Sequence, residues 1–172
     1  MKPKNNFSYR IQQFQLAVNP PVQPVPTEVL NSYLNSAQLA LFRNLQPSEQ
    51  WHAFEVFNKL KDNGITQPDL LKAGLLHDIG KIIYPLKTWE RVMIVVIKQI
   101  SPSLMQRWGQ RKSTGLFKLF SVASRHAEWG ADLITQTGAS EELIELISRH
   151  EENPSSDQHA SLSSLQNADN SS

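Results

Sequence analysis

The chain carries five histidines and no cysteine, so any metal or proton chemistry must rest on imidazoles and carboxylates. Four of the five sit on apolar stripes of segments with helical periodicity. His52 shares a face with Val56 and Leu60, and His77 follows Leu70, Ala73 and Gly74 at i−7, i−4 and i−3. His126 lies one turn before Gly130, and His150 follows Leu143, Leu146 and Ile147. A single inward histidine reads most simply as a satisfied core residue. Four on four helices are harder to place that way, because buried imidazoles need partners. They find each other most cheaply around a metal ion. Asp78 follows His77 at a helix end, where both side chains can swing toward one point, and a buried carboxylate also wants a cation. His159 lies beside a polar loop and reads as a surface residue.

The elements that must position these groups read as helices. Phe7 to Val18 is partly periodic, and four prolines between Pro20 and Pro26 then make an extended arm. Thr27 is expected to cap a short helix over Glu28 to Leu34, and a second short helix runs near Ala37 to Leu45. Ser48 is the expected cap of a helix that stops at Asn63-Gly64. Further helices are expected over Pro68 to Asp78, Trp89 to Ile100, Ser121 to Thr137, Ser140 to Glu152 and Ser161 to Ala168. Ser140 is the expected cap of the fourth of these, with acids in the first turn. Ser101 to Ser121 is less regular. The one strand candidate, Met93 to Ile97, sits inside a longer helical stretch, so the fold class is all-α.

Composition narrows the function. At 172 residues, with 40% hydrophobic and 19% charged residues, the chain suits one compact soluble domain. A formal charge of +1 gives no global field for nucleic acid, and the four tryptophans are not interleaved with basic residues as single-strand binders require. Trp51, Trp89, Trp108 and Trp129 are expected as core or pocket wall. The absence of cysteine excludes disulfides, thiolate nucleophiles and Cys-ligated zinc, and fits a cytoplasmic protein. The N-terminus lacks the apolar run of a signal peptide, and Val92 to Ile97 is far short of the roughly 20 residues of a membrane span.

The segment Leu75-Leu76-His77-Asp78-Ile79-Gly80-Lys81 resembles the signature of the HD superfamily of metal-dependent phosphohydrolases, and the resemblance runs from Ser48 to Asp169. It implies an all-α HD-domain helical bundle over 47–172, preceded by an N-terminal helical extension with a Pro-rich arm over 1–46. It matches His52 to the family's first histidine and Asp169, in Leu165-Gln166-Asn167-Ala168-Asp169, to its terminal aspartate. His126 and His150 match the two further histidines of binuclear members. One metal would then take His52, His77, Asp78 and Asp169, and a second His126 and His150 with Asp78 bridging. Mixed imidazole and carboxylate ligands suit iron, manganese, cobalt or zinc, as one ion or two. The HD-GYP group carries Gly-Tyr-Pro after the fourth histidine. Here that region reads Glu151-Glu152-Asn153-Pro154, which does not support the cyclic-dinucleotide assignment.

The resemblance implies hydrolysis of a phosphate mono- or diester, on a nucleotide or another small phosphorylated substrate, by a metal-activated water. Asp78 and Lys81 are the catalytic candidates, and Lys81, Arg125 and Arg149 the substrate-binding ones. Glu128 and Glu151, each beside a ligand, are candidates to orient an imidazole or are simply exposed acids. Arg107, Arg111 and Lys112 form a basic cluster that could guide an anion or face solvent. The Pro-rich arm favours contact with a partner or a second copy. The competing reading is a regulatory or scaffolding HD domain that binds a ligand or partner protein without turnover.

Overall fold

Local capping chemistry sets where the helices begin. The computed structural model describes residues 23–87, 89–90, 92–94, 97, 117–152 and 160–172. Helix α1 (Thr27–Tyr33) starts directly after Pro26, so Thr27 is the first helical residue rather than the cap. Helix α2 (Ser36–Arg43) opens on a reciprocal capping box: Asn35 Oδ1 accepts from Gln38 N at 2.9 Å, and Gln38 Oε1 accepts from Asn35 N at 3.2 Å. Helix α3 (Pro47–Asp62) has its cap at Gln46, not at Ser48. Pro47 occupies the first turn, where its missing N–H has no helical partner to lose. Glu49 reaches back to accept from Gln46 N at 3.0 Å.

Helix α4 (Pro68–Leu76) stops short of the expected Asp78, with His77 as its C-cap. A tight 3-10 turn, Ile79–Ile83, follows Asp78. Helix α5 (Phe117–Thr135) begins at Phe117 rather than Ser121 and ends before Gly138, whose φ of +71° makes the turn into the next element. Helix α6 (Glu141–Arg149) starts at the expected cap, Ser140, whose hydroxyl accepts from Leu143 N at 3.2 Å. Helix α7 (Ala160–Asn170) is longer than expected and takes in Asp169. Positions 89–90, 92–94 and 97 are helical, including the described part of the strand candidate. The expected helix over Phe7 to Val18, the start of the Pro-rich arm up to residue 22, the Arg107, Arg111 and Lys112 cluster, Trp108 and His159 lie outside the described residues.

One core joins the helices. Leu30, Leu34, Phe42 and Leu45 belong to one buried cluster with Phe57 and Leu60 of α3, Leu71 of α4, Ile134, Ile147 and Leu165. Each such side chain contributes about 1.5–3 kcal/mol by leaving water. A smaller cluster of Leu86, Phe120 and Val122 packs with Ile94, Ile97 and Trp129 beyond the start of α5. Trp51 and Trp129 are half-buried, but Trp89 is 49% exposed and is not part of the core. The next residue, Glu90, is buried. No strand occurs among the described residues, and none of their helices is long and apolar enough to cross a membrane.

Ser140 also ties two helices together. Its hydroxyl donates to Asp69 Oδ2 at 2.6 Å, and Asp69 Oδ1 accepts from Lys72 at 3.0 Å. Burial pushes the Asp69 pKa up, but the Ser140 and Lys72 hydrogen bonds outweigh it and hold the carboxyl below its ordinary value. Ser140→Ala should lower the unfolding free energy by about 1 kcal/mol, measured by urea denaturation. A carboxyl with a lowered folded pKa stabilises the protein above its unfolded pKa and loses that contribution as pH falls through the folded value. Asp69→Asn should therefore destabilise at pH 7, and its difference from the wild type should shrink in acid below the ordinary carboxylate range.

Candidate metal centre

The ends of two helices and the faces of three others bring six side chains together. His77 is the C-cap of α4 and Asp78 follows it, and His150 is the C-cap of α6. His126 comes from the middle of α5, His52 from α3 and Asp169 from α7. The imidazoles form a row with edge-to-face contacts: His52 to His77 at 5.4 Å, His77 to His150 at 5.1 Å and His150 to His126 at 5.1 Å between ring centroids. His77, Asp78, His126 and His150 are buried, whereas His52 is half-buried at the rim.

Backbone carbonyls fix the orientation of three rings. Nδ1 of His77 lies 3.1 Å from Gly74 O, Nδ1 of His126 lies 3.0 Å from Val122 O, and Nδ1 of His150 lies 2.8 Å from Ile147 O. A carbonyl oxygen only accepts, so each Nδ1 carries the proton and, in the neutral ring, each Nε2 keeps a lone pair. Those lone pairs point at one another and at carboxylates. His126 Nε2 is 3.1 Å from His150 Nε2, and the buried His77 Nε2 has no hydrogen-bond partner.

The carboxylates divide this cavity into two halves. Asp78 Oδ1 faces His126 Nε2 at 3.3 Å and His150 Nε2 at 3.9 Å, while Oδ2 faces His77 Nε2 at 3.6 Å. Asp169 Oδ1 lies 2.8 Å from His52 Nε2 and 3.5 Å from His77 Nε2. Donors bound to one ion at about 2.1 Å stand roughly 3–3.5 Å apart, so these spacings fit a metal. Two donor sets result: His52, His77 and Asp78, flanked by Asp169, and Asp78, His126 and His150. The orphaned Nε2 of His77 and the facing lone pairs of His126 and His150 are what a cation would satisfy.

Electrostatics agree with that arrangement. Burial alone would raise the Asp78 pKa, but Lys81, His77 and His126 outweigh it and hold the carboxyl well below its usual range. Asp169 is likewise lowered, because its hydrogen bond with His52 and the nearby His77 overcome its burial. Burial pushes His77 down, yet Asp78 and Asp169 raise it overall. His150 is pulled down to about 3, first by burial and then by the neighbouring His77 and His126. It stays a neutral, metal-ready imidazole.

Lys81 is ion-paired to Asp78 Oδ2, not simply solvated. Burial would lower its pKa, but Asp78 raises it, so it remains an ammonium at the cavity edge. Arg125 pairs with Glu128, and Arg149 with Glu145 and Glu152, all on the outer surface. Glu128 is thus turned away from the cavity. One further residue was not among the sequence candidates, and Glu151, expected to orient an imidazole or to be an exposed acid, is exposed, with its carboxylate near a ring. Gln166 is buried, and its amide donates to His150 O at 3.1 Å and Glu152 O at 2.9 Å, tying α7 to the end of α6. Its inward position one turn before Asp169 was the available signal. Glu151 Oε1 lies 3.7 Å from His126 Nε2, facing that nitrogen rather than the Nδ1 that an orienting acid would hold.

Gly80 explains the close fit of the turn against α5. A Cβ there would stand 1.9 Å from His126 O and 2.7 Å from Gly130 N. Gly130 answers from the other side, where a Cβ would meet Ile147 Cγ2 at 3.1 Å and Gly80 N at 3.2 Å. These two glycines let the backbone carrying His77 and Asp78 touch the backbone carrying His126.

The HD domain family model matches residues 51–172, which is most of the chain. The chain belongs to the HD domain family, whose members are typically metal-dependent hydrolases. No curated protein and no solved structure matches it.

Gly80→Ala should cost about 3 kcal/mol or more, because backbone atoms on α5 would have to move. Gly64 has φ +79° but open space around it. Gly64→Ala should cost only about 1–2 kcal/mol, from the left-handed conformation alone. Thermal denaturation of both variants, with bound metal measured by elemental analysis, separates the two: the Gly80 change should reduce metal content and the Gly64 change should not.

Proposed function

We propose that the chain is a metal-dependent phosphohydrolase that cleaves a nucleotide or other phosphate mono- or diester, and that it holds two divalent ions of iron, manganese, cobalt or zinc. The observation that carries this reading is the split of the Asp78 carboxylate. One oxygen faces His77 and the other faces His126 and His150, so a single side chain can bridge two donor sets. His52, His77, Asp78 and Asp169 would hold one ion, and Asp78, His126 and His150 the other. Bound ions of this kind act as Lewis acids and lower the pKa of a coordinated water toward about 7.

The protein's own groups would do the rest. The three Nδ1–H···O=C hydrogen bonds hold the rings so that binding costs little reorientation. His52 and Asp169, half-buried at the rim, mark the side from which substrate enters. Lys81, already at the Asp78 edge, is the cation positioned to meet a phosphoryl oxygen. Arg125 or Arg149 would have to leave its exposed glutamate partners to contribute, and either exchange is cheap, since surface ion pairs are worth about 0–1 kcal/mol. The matched family segment starts at residue 51, in keeping with a division into an extension over 1–46 and an HD domain over 47–172. Residues 30–45 nevertheless share the domain's core.

Elemental analysis of the purified, metal-supplemented chain should give two ions per chain, and Asp78→Ala should lose both. Hydrolysis of a panel of nucleotides and phosphodiesters should fall on the order of 10³-fold or more in that variant, with helicity by circular dichroism largely kept. A wild-type chain that takes up metal but turns over no phosphate ester would favour the scaffolding alternative. One that takes up no metal would sink the catalytic reading.

A further inference from the structure

We propose that Glu151 is a ligand of the second ion, completing the set formed by Asp78, His126 and His150; this rests on the two-ion reading above. Among the described residues each donor set has three members, and Asp169 adds a fourth carboxylate beside the first, 2.8 Å from His52 Nε2 and 3.5 Å from His77 Nε2. Glu151 Oε1 stands 3.7 Å from His126 Nε2, on the same nitrogen that faces Asp78 and His150. That is close to the spacing of donors sharing one ion, about 3–3.5 Å.

Position on the chain supports the same assignment. His77 caps the end of α4 and Asp78 follows it; His150 caps the end of α6 and Glu151 follows it. In both pairs the residue after the histidine has left the helix, so its side chain can turn back toward the point at which the imidazole aims. The flanking acids are engaged elsewhere, since Arg149 holds Glu145 at 2.6 Å and Glu152 at 2.9 Å. Glu151 is instead directed at His126.

Charge gives a further reason. Two divalent ions bring four positive charges, against which Asp78 and Asp169 supply only two negative ones. A third carboxylate reduces the excess, and hard or borderline ions favour added oxygen ligands. The Glu151 side chain is 48% exposed, so it sits at the mouth and reaches the ion from the solvent side. Such a ligand can yield to a substrate oxygen, whereas the buried imidazoles cannot move.

The test is Mn²⁺ titration of the full chain by calorimetry, with electron paramagnetic resonance of the loaded protein. The wild type should bind two ions and give a spin-coupled pair. Glu151→Gln, which keeps size at an exposed position, should retain the first ion and weaken the second on the order of tenfold or more, with the coupled signal replaced by that of isolated Mn²⁺. Glu152→Gln, on the neighbouring acid held by Arg149, should behave as the wild type. Two ions bound with unchanged affinity in Glu151→Gln would overturn the assignment while leaving the two-ion centre standing. A single ion in the wild type would overturn both.

Discussion

The Asp78 carboxylate is nearly fully buried, and the rest of the fold is arranged around tolerating that charge. An unpaired buried carboxylate would cost several kcal/mol or would simply protonate. Here it remains ionised chiefly because the Lys81 ammonium pairs with it, with the imidazoles of His77 and His126 beside it. Yet those imidazoles turn lone-pair nitrogens toward the same space, and the hydrophobic cluster behind them offers no donors. An acceptor-rich cavity of this kind is stable only with a cation or with protons inside it. The same groups that make the cavity costly to fold suit it to positive charge.

Helix ends do much of the positioning. The last carbonyls of an α-helix lack backbone donors, and in α4 and α6 an imidazole at the C-cap supplies one. His77 donates to Gly74 and His150 to Ile147. The helix end and the ligand thus solve each other's problem: the carbonyl gains a donor, and the ring is fixed in the tautomer a metal needs. Gly80 and Gly130 then remove the side-chain thickness that would otherwise separate these ends from α5. Adding a methyl at Gly80 would push His77 and Asp78 away from His126, because the contacted atom is the carbonyl of His126 itself.

The helices and the buried histidines were legible because both follow apolar periodicity, which is local. Leu143, Leu146 and Ile147 point His150 inward whatever else the chain does. The Ser140 cap was legible for the same reason, a hydroxyl acting within three residues. What sequence could not supply were terms set by tertiary contact. Helix α4 ends at Leu76, not Asp78, because the turn is pulled against α5. The Gln46 cap, by contrast, rests on a local bond from Gln46 N to Glu49, which the choice of Ser48 as cap overlooked. Asp169 entered only through family resemblance, since nothing in Asn167-Ala168-Asp169 announces that α7 crosses α3 near His52.

Gln166 shows why that crossing holds. Its buried amide donates to the carbonyls of His150 and Glu152, capping α6 with a side chain from α7. One turn further along the same helix, Asp169 reaches His52 and His77. The hydrogen bonds that satisfy the end of α6 therefore also set how far Asp169 extends over the first donor set. The segment that follows His150, including Glu151, is held by the same amide. The two donor sets are joined twice, once through the oxygens of Asp78 at the floor and once through Gln166 at the wall. A shift of α7 would therefore be felt by His52, His77 and His150 together.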